Sequence, residues 1–183
     1  MQLAWLLGGS QTSARRGSML DNSRIAMAVS LVLWLAICFI VAAVGASASL
    51  QAGTFYAELV RPNWAPPAAV FGPIWTMLYA MMAIAAWLVW MRRQFRLARI
   101  ALAFFMLQLI LNALWSWLFF GWNQGALSFV DIVFLWAVII STLVLFWRIR
   151  LLAGLLLVPY LAWVTFASAL NYKMWQLNPS ILT

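Results

Sequence analysis

Five apolar stretches of helical length follow one another along this 183-residue chain, with charged residues falling almost entirely between them. No charge occurs between Arg24 and Glu58, Arg61 and Arg92, Arg99 and Asp131, Asp131 and Arg148, or Arg150 and Lys173. Crossing a hydrocarbon layer takes ~20 apolar residues as a helix, because lipid offers the backbone N–H and C=O groups no other partner. The pattern predicts spans over 25–48, 70–91, 100–120, 127–147 and 151–174. The expected fold class is all-α: an integral membrane bundle of five transmembrane helices occupying 25–178. Residues 1–24 read as a flexible cytoplasmic extension, Gly/Ser-rich and polar over 8–18, and 179–183 as a short tail. Residues 25–44 followed by Gly45-Ala46-Ser47-Ala48-Ser49 imitate a cleavable leader, but such a core is ~7–15 residues long and this one is longer, so it stays a span.

Composition agrees with this reading. The chain is 67% hydrophobic with a mean hydropathy of +0.99, where a soluble domain is about half apolar. The charges then orient it. With five spans, Arg15, Arg16, Arg24, Arg92, Arg93, Arg96, Arg99, Arg148 and Arg150 collect on one side, nine of the eleven cations, and only Arg61 and Lys173 on the other. The positive-inside bias makes the first side, with the N-terminus, cytoplasmic. The net charge of +8 belongs to short loops at helix ends, with no aromatic and basic surface to follow a phosphate backbone, so no nucleic-acid partner is expected.

Several chemistries lack material. The chain has no histidine, hence no imidazole base and no HExxH zinc site, and no metal is expected. Cys38 is alone and cannot form an internal disulfide. Asp21, Glu58 and Asp131 are scattered over tail, loop and helix, which disfavours paired-carboxylate hydrolysis. Asp131 sits about one turn into the fourth span, shallow enough for hydration.

What remains is polar and aromatic side chains at helical spacing. Gln108, Asn112 and Ser116 recur at i, i+4, i+8 in the third span beside Trp115 and Phe119. Phe71, Trp75 and Tyr79 do so in the second; Trp163, Ala167 and Asn171 follow Tyr160 in the fifth. Polar residues of this kind also serve as interhelical glue. Three such stripes facing one interior would enclose an apolar slot walled by indoles with a few amides, the usual make-up of a small-molecule pocket. Trp90, Trp122, Trp147 and Trp175 lie at span ends and read as interface anchors. In the 49–69 loop, Arg61-Pro62-Asn63-Trp64-Ala65-Pro66-Pro67 fixes several φ angles and excludes a helix, so the segment should be a stiff, partly extended cover over one mouth of the bundle. Pro159 should kink the fifth span near Tyr160. Small residues at Ala42, Ala46 and Ser49, and at Ala101 with Ala103, allow close helix approach; the third span is the favoured self-association face.

Four segments carry a resemblance. Arg61-Pro-Asn-Trp-Ala-Pro-Pro67, Val70-Phe-Gly-Pro-Ile-Trp-Thr-Met-Leu-Tyr79, Gln108 to Phe120, and Pro159 to Asn171 with Trp175 and Asn178, resemble the TspO/MBR family of tryptophan-rich sensory and translocator proteins. The likeness covers residues 30 to 178. It implies a five-helix bundle that forms homodimers and binds porphyrins, sterol-like lipids and flat aromatic ligands, with porphyrin a ligand and no obligatory cofactor. By resemblance the pocket includes Trp75, Tyr79, Asn112, Trp115, Trp163, Ala167 and Leu170, and the lid Trp64, Pro66 and Pro67. Trp75 and Trp163 match the tryptophans linked to porphyrin breakdown in the family. Leu170-Asn-Tyr172 runs straight into Lys173, so the strict sterol pattern of the animal members fails; the reversed pattern at Arg93-Gln-Phe95-Arg-Leu97 is a weak motif. A bacterial membrane is the expected setting. A tetrapyrrole receptor or sensor is the favoured function, ahead of a light-dependent porphyrin-degrading enzyme and of a transporter. The last usually needs intramembrane charge or broken helices.

Overall fold

The computed structural model of the protein describes residues 4–50 and 52–183, with side chains from residue 23 onward. Its elements are α1 (Ala4–Ala48), α2 (Ala52–Glu58), a 3₁₀ turn (Ala68–Val70), α3 (Phe71–Trp90), α4 (Arg96–Ser116), a π turn (Trp117–Gly121), α5 (Gly125–Ile149) and α6 (Leu151–Leu177). No strand occurs among the described residues. Five segments are long and apolar enough to cross a membrane: Ser23–Ala48, Ala68–Trp90, Arg96–Gly121, Gly125–Ile149 and Leu151–Leu177. Four contain the stretch that their charge-free run predicts, and the second ends one residue short of the predicted 70–91. Helix α1 reaches back to Ala4, into the stretch whose Gly/Ser content marks an extension.

The chain divides into two compact units, Met1–Leu33 and Trp34–Thr183. The first contributes the early part of α1, where the Ser30 hydroxyl donates to the Met27 carbonyl at 2.8 Å. The second is the bundle. Within it α5 packs along both α4 and α6, and α3 packs on α6 and α4. The core runs through Leu78, Met82, Phe105, Leu109, Phe146 and Leu157. Phe105 and Phe146 stack across the α4–α5 seam at 5.8 Å. In lipid, helices gain little from hiding apolar surface and associate by close packing at small residues. Gly154 shows this at the α5–α6 turn: a Cβ there would stand 2.9 Å from the Trp147 backbone. Gly125 is likewise required, because the Trp175 indole lies 2.5 Å from where its Cβ would be. Helix α6 is continuous through Pro159.

Four expectations change. The 49–69 loop is not extended throughout, since α2 occupies its first half. Pro62, Pro66 and Pro67 all follow α2, so their restraint on φ acts only downstream of it. Ala101 and Ala103 do not share a face: Ala101 is fully buried inside the bundle and Ala103 is exposed, as residues two apart on a helix must be. Asp131 lies nearly two turns into α5 rather than one, is only 8% exposed, and its Oδ2 has no partner among the described residues. Finally, Trp90 and Trp175 are packed rather than free anchors. Trp90 meets Trp34 edge-on at 5.9 Å beneath the Arg93 guanidinium, and Trp175 stacks on Phe129 at 6.3 Å. Trp122 and Trp147 are exposed.

Candidate functional site

A cavity of about 430 Å³ opens between α1, α2, α3, α4 and α6. Helix α3 supplies Phe71, Trp75 and Tyr79, one residue per turn on one face, as their four-residue spacing requires. Trp75 is the hub of this wall. Its ring lies 5.9 Å from Tyr79 and 6.3 Å from Tyr160, and meets Trp163 of α6 at 6.5 Å with the planes at 90°. Phe71 also packs edge-on against Trp163, at 5.8 Å. Helix α4 contributes Asn112, Trp115 and Ser116.

The polar groups of this floor are engaged with one another. The Tyr79 hydroxyl donates to Asn112 Oδ1 at 2.6 Å, and Asn112 Nδ2 donates to the Tyr160 hydroxyl at 3.0 Å. One amide thus ties α3, α4 and α6 together, which is how a buried polar group in lipid avoids its desolvation cost. Trp115 is held differently. Its Nε1 donates to Asn171 Oδ1 at 2.8 Å and its ring stacks on Phe119 at 5.5 Å, fixing the indole plane against the cavity. Trp163 Nε1 is buried without a hydrogen-bond partner among the described residues. No charged side chain lines the cavity among the described residues.

Above the aromatic wall lies the cover. Helix α2 brings Ala52, Gly53 and Tyr56 to the cavity. The Tyr56 hydroxyl donates to the Pro66 carbonyl at 2.9 Å, and the Arg61 guanidinium sits 5.0 Å from its ring centroid. Burial pushes the Tyr56 hydroxyl above its usual range, against the opposing pull of Arg61, so the phenol stays a neutral donor. Trp64 meets Phe166 at 5.7 Å, and Phe166 meets Trp163 at 5.5 Å, so the cover touches the aromatic wall through a relay of rings.

A family model described as the TspO/MBR family matches residues 32–176. The chain belongs to the TspO/MBR family. The tryptophan-rich protein TspO of Chlorobaculum tepidum is 40% identical over 156 residues, spanning 82% of this chain and 97% of that protein. Protein CrtK of Rhodobacter capsulatus is 39% identical over 153 residues, spanning 82% and 96%. The human translocator protein is 37% identical over 126 residues, spanning 68% of this chain and 75% of that protein. The chain is an integral, multi-pass membrane protein of a sensor and translocator family.

The TspO/MBR cavity brings together Trp75, Tyr79, Asn112, Trp115, Trp163 and Ala167, all singled out in the sequence. Leu170 and Asn171 stand behind its wall. Leu170 packs with Tyr56, Phe119 and Met174, while Asn171 steadies Trp115 and turns its Nδ2 toward the Gly125 carbonyl at 3.5 Å. Among the lid residues, Trp64 is 48% exposed and Pro66 holds Tyr56; neither they nor Pro67 line the cavity, whose cover is formed by α2, Ala68 and Phe71. Gln108 is buried below the cavity, its Nε2 4.0 Å from Met82 Sδ. Sequence reasoning missed the α1 wall: Phe39, Ala42, Gly45, Ala46 and Ser49. The signal was there, in small residues at helical spacing, but it reads equally well as a close-packing stripe.

Proposed function

We propose that this TspO/MBR protein is a membrane receptor that binds a tetrapyrrole such as protoporphyrin IX, or another flat apolar ligand, and regulates tetrapyrrole metabolism or transport. The cavity supports this reading. At about 430 Å³ it lies within the ~300–1,000 Å³ of small-molecule sites, and its walls are ring faces rather than acids or bases. Aromatic planes set around a slot suit a conjugated macrocycle, which gains from stacked and edge contacts beyond its buried area. Light-dependent porphyrin breakdown is the second reading, favoured by the contact of Trp75 with Trp163 at 6.5 Å on the cavity wall. Titrating the purified protein with protoporphyrin IX, in the dark and under illumination, tests both. Saturable binding with a stable Soret band is expected of a receptor, light-driven loss of the band of the enzyme, and no saturable binding contradicts both.

We also infer that the end of the bundle bearing Arg92, Arg93, Arg96, Arg99, Arg148 and Arg150 faces the cytoplasm. With Cys38 replaced, a cysteine at position 94 is expected to resist an impermeant thiol reagent added outside intact cells. Labelling there would reverse the orientation.

A further inference from the structure

Asn178 closes the C-terminal end of α6 and is only 3% exposed. Its side chain makes three hydrogen bonds. Nδ2 donates to the Met174 carbonyl at 2.8 Å, which also accepts from the Asn178 backbone N–H at 3.1 Å. The other two cross to a residue 118 positions away: the Val60 N–H donates to Oδ1 at 2.8 Å, and Nδ2 donates to the Val60 carbonyl at 3.0 Å. The amide therefore pairs with both backbone groups of Val60 as a neighbouring strand would, in a segment where no strand is available.

Val60 lies directly between α2 and the proline-rich cover. The residue before it, Leu59, is buried with Tyr56, Met174 and Leu182 in a small cluster separate from the main core. Asn178 organises that cluster from the other side as well. Its own carbonyl accepts from the Ile181 and Leu182 N–H groups at 3.1 and 2.9 Å, starting the final turn that carries Leu182 inward. A single residue thus joins the end of α6, the last turn of the chain and the junction of α2 with the cover, the last turn through its backbone carbonyl and the other two through its side chain.

We propose that Asn178 is a positioning residue that clamps the cover shut over the cavity and sets the rate at which ligand enters and leaves. Helix α2 carries Ala52, Gly53 and Tyr56 to the cavity, and Tyr56 in turn holds Pro66. Lifting α2 exposes the mouth, and Val60 joins α2 to the proline-rich segment that Tyr56 holds. Opening must break the paired bonds to Asn178 and return two backbone groups and an amide to other partners. The ligand half of the proposal rests on the receptor reading; the clamp itself does not.

Two measurements separate these parts, on the full chain in detergent or lipid nanodiscs. Asn178→Ala removes all three side-chain bonds. Asn178→Asp keeps an acceptor for the Val60 N–H but sets a carboxylate against two carbonyls, and serves if the alanine variant folds poorly. Amide hydrogen exchange needs no ligand: protection over residues 52–60 is expected to fall on the order of tenfold in either variant, with α3–α5 unchanged. Stopped-flow displacement of bound protoporphyrin IX then reads gating, and association and dissociation are both expected to accelerate on the order of tenfold while Kd moves far less. Unchanged exchange over 52–60 overturns the clamp. Faster exchange with unchanged ligand rates overturns the gating, and places the ligand's path elsewhere, between helices. If the unmodified protein binds no porphyrin, the receptor reading and the gating fall together, and the exchange result still decides the clamp.

Discussion

Replacing Ala46 with phenylalanine is expected to weaken porphyrin binding severely while leaving the bundle folded. Ala46 lies on the α1 face that walls the cavity, among Ala42, Gly45 and Ser49, where small side chains leave the volume empty. A benzyl group there projects into space rather than into packed neighbours, so the overpacking cost of ~1–3 kcal/mol seen in filled cores does not apply. The ligand loses the space opposite Trp75 and Trp115 instead. A loss of roughly a hundredfold in affinity is expected, about 2.8 kcal/mol at 1.4 kcal/mol per tenfold. Ala43→Phe is the control, because Ala43 is exposed and does not line the cavity. Titration of both variants, with thermal unfolding as the check on folding, decides the matter. Equal affinities in the two would mean that α1 is not a wall of the site.

The second large effect concerns the aromatic wall. Trp75 and Trp163 meet at right angles on the cavity, each also braced by other rings. Phenylalanine at either position keeps most of the apolar bulk and removes the indole. The aromatic contact beyond area burial is about 0.5–1.5 kcal/mol, so each substitution should weaken porphyrin binding roughly twofold to tenfold. If the indoles act photochemically, light-dependent loss of porphyrin falls further than affinity does.

The fold was legible because membrane helices write themselves plainly. Each span must be apolar over its whole length, so the charge-free runs mark α1 and α3–α6 without any knowledge of packing. The α3 face of the site was legible for a similar reason, since Phe71, Trp75 and Tyr79 recur at the helical period and large aromatic residues declare themselves. The α1 wall did not, because an alanine and glycine stripe signals either close contact or a void, and only the positions of the other helices choose between them. Helix α2 was hidden by the prolines that follow it, whose restraint does not extend backward past Val60. Leu170 and Asn171 illustrate the limit of a stripe argument. Ala167 faces the cavity, but residues three and four positions further along α6 already face Tyr56 and Trp115 from behind the wall. Asn178 could not have been read as a clamp at all, since its partner lies 118 residues away in a segment with no periodicity.

The most direct test of the account is a Soret titration with protoporphyrin IX of the unmodified protein and of Trp75→Phe, Trp163→Phe and Trp90→Phe, each in the dark and after illumination. Trp90 lies outside the cavity, against Trp34 and Arg93, and is the matched control. The account predicts saturable binding by the unmodified protein and by Trp90→Phe, with weaker binding or lost photochemistry in the other two. Equal affinity and equal photobleaching in all four proteins would contradict it.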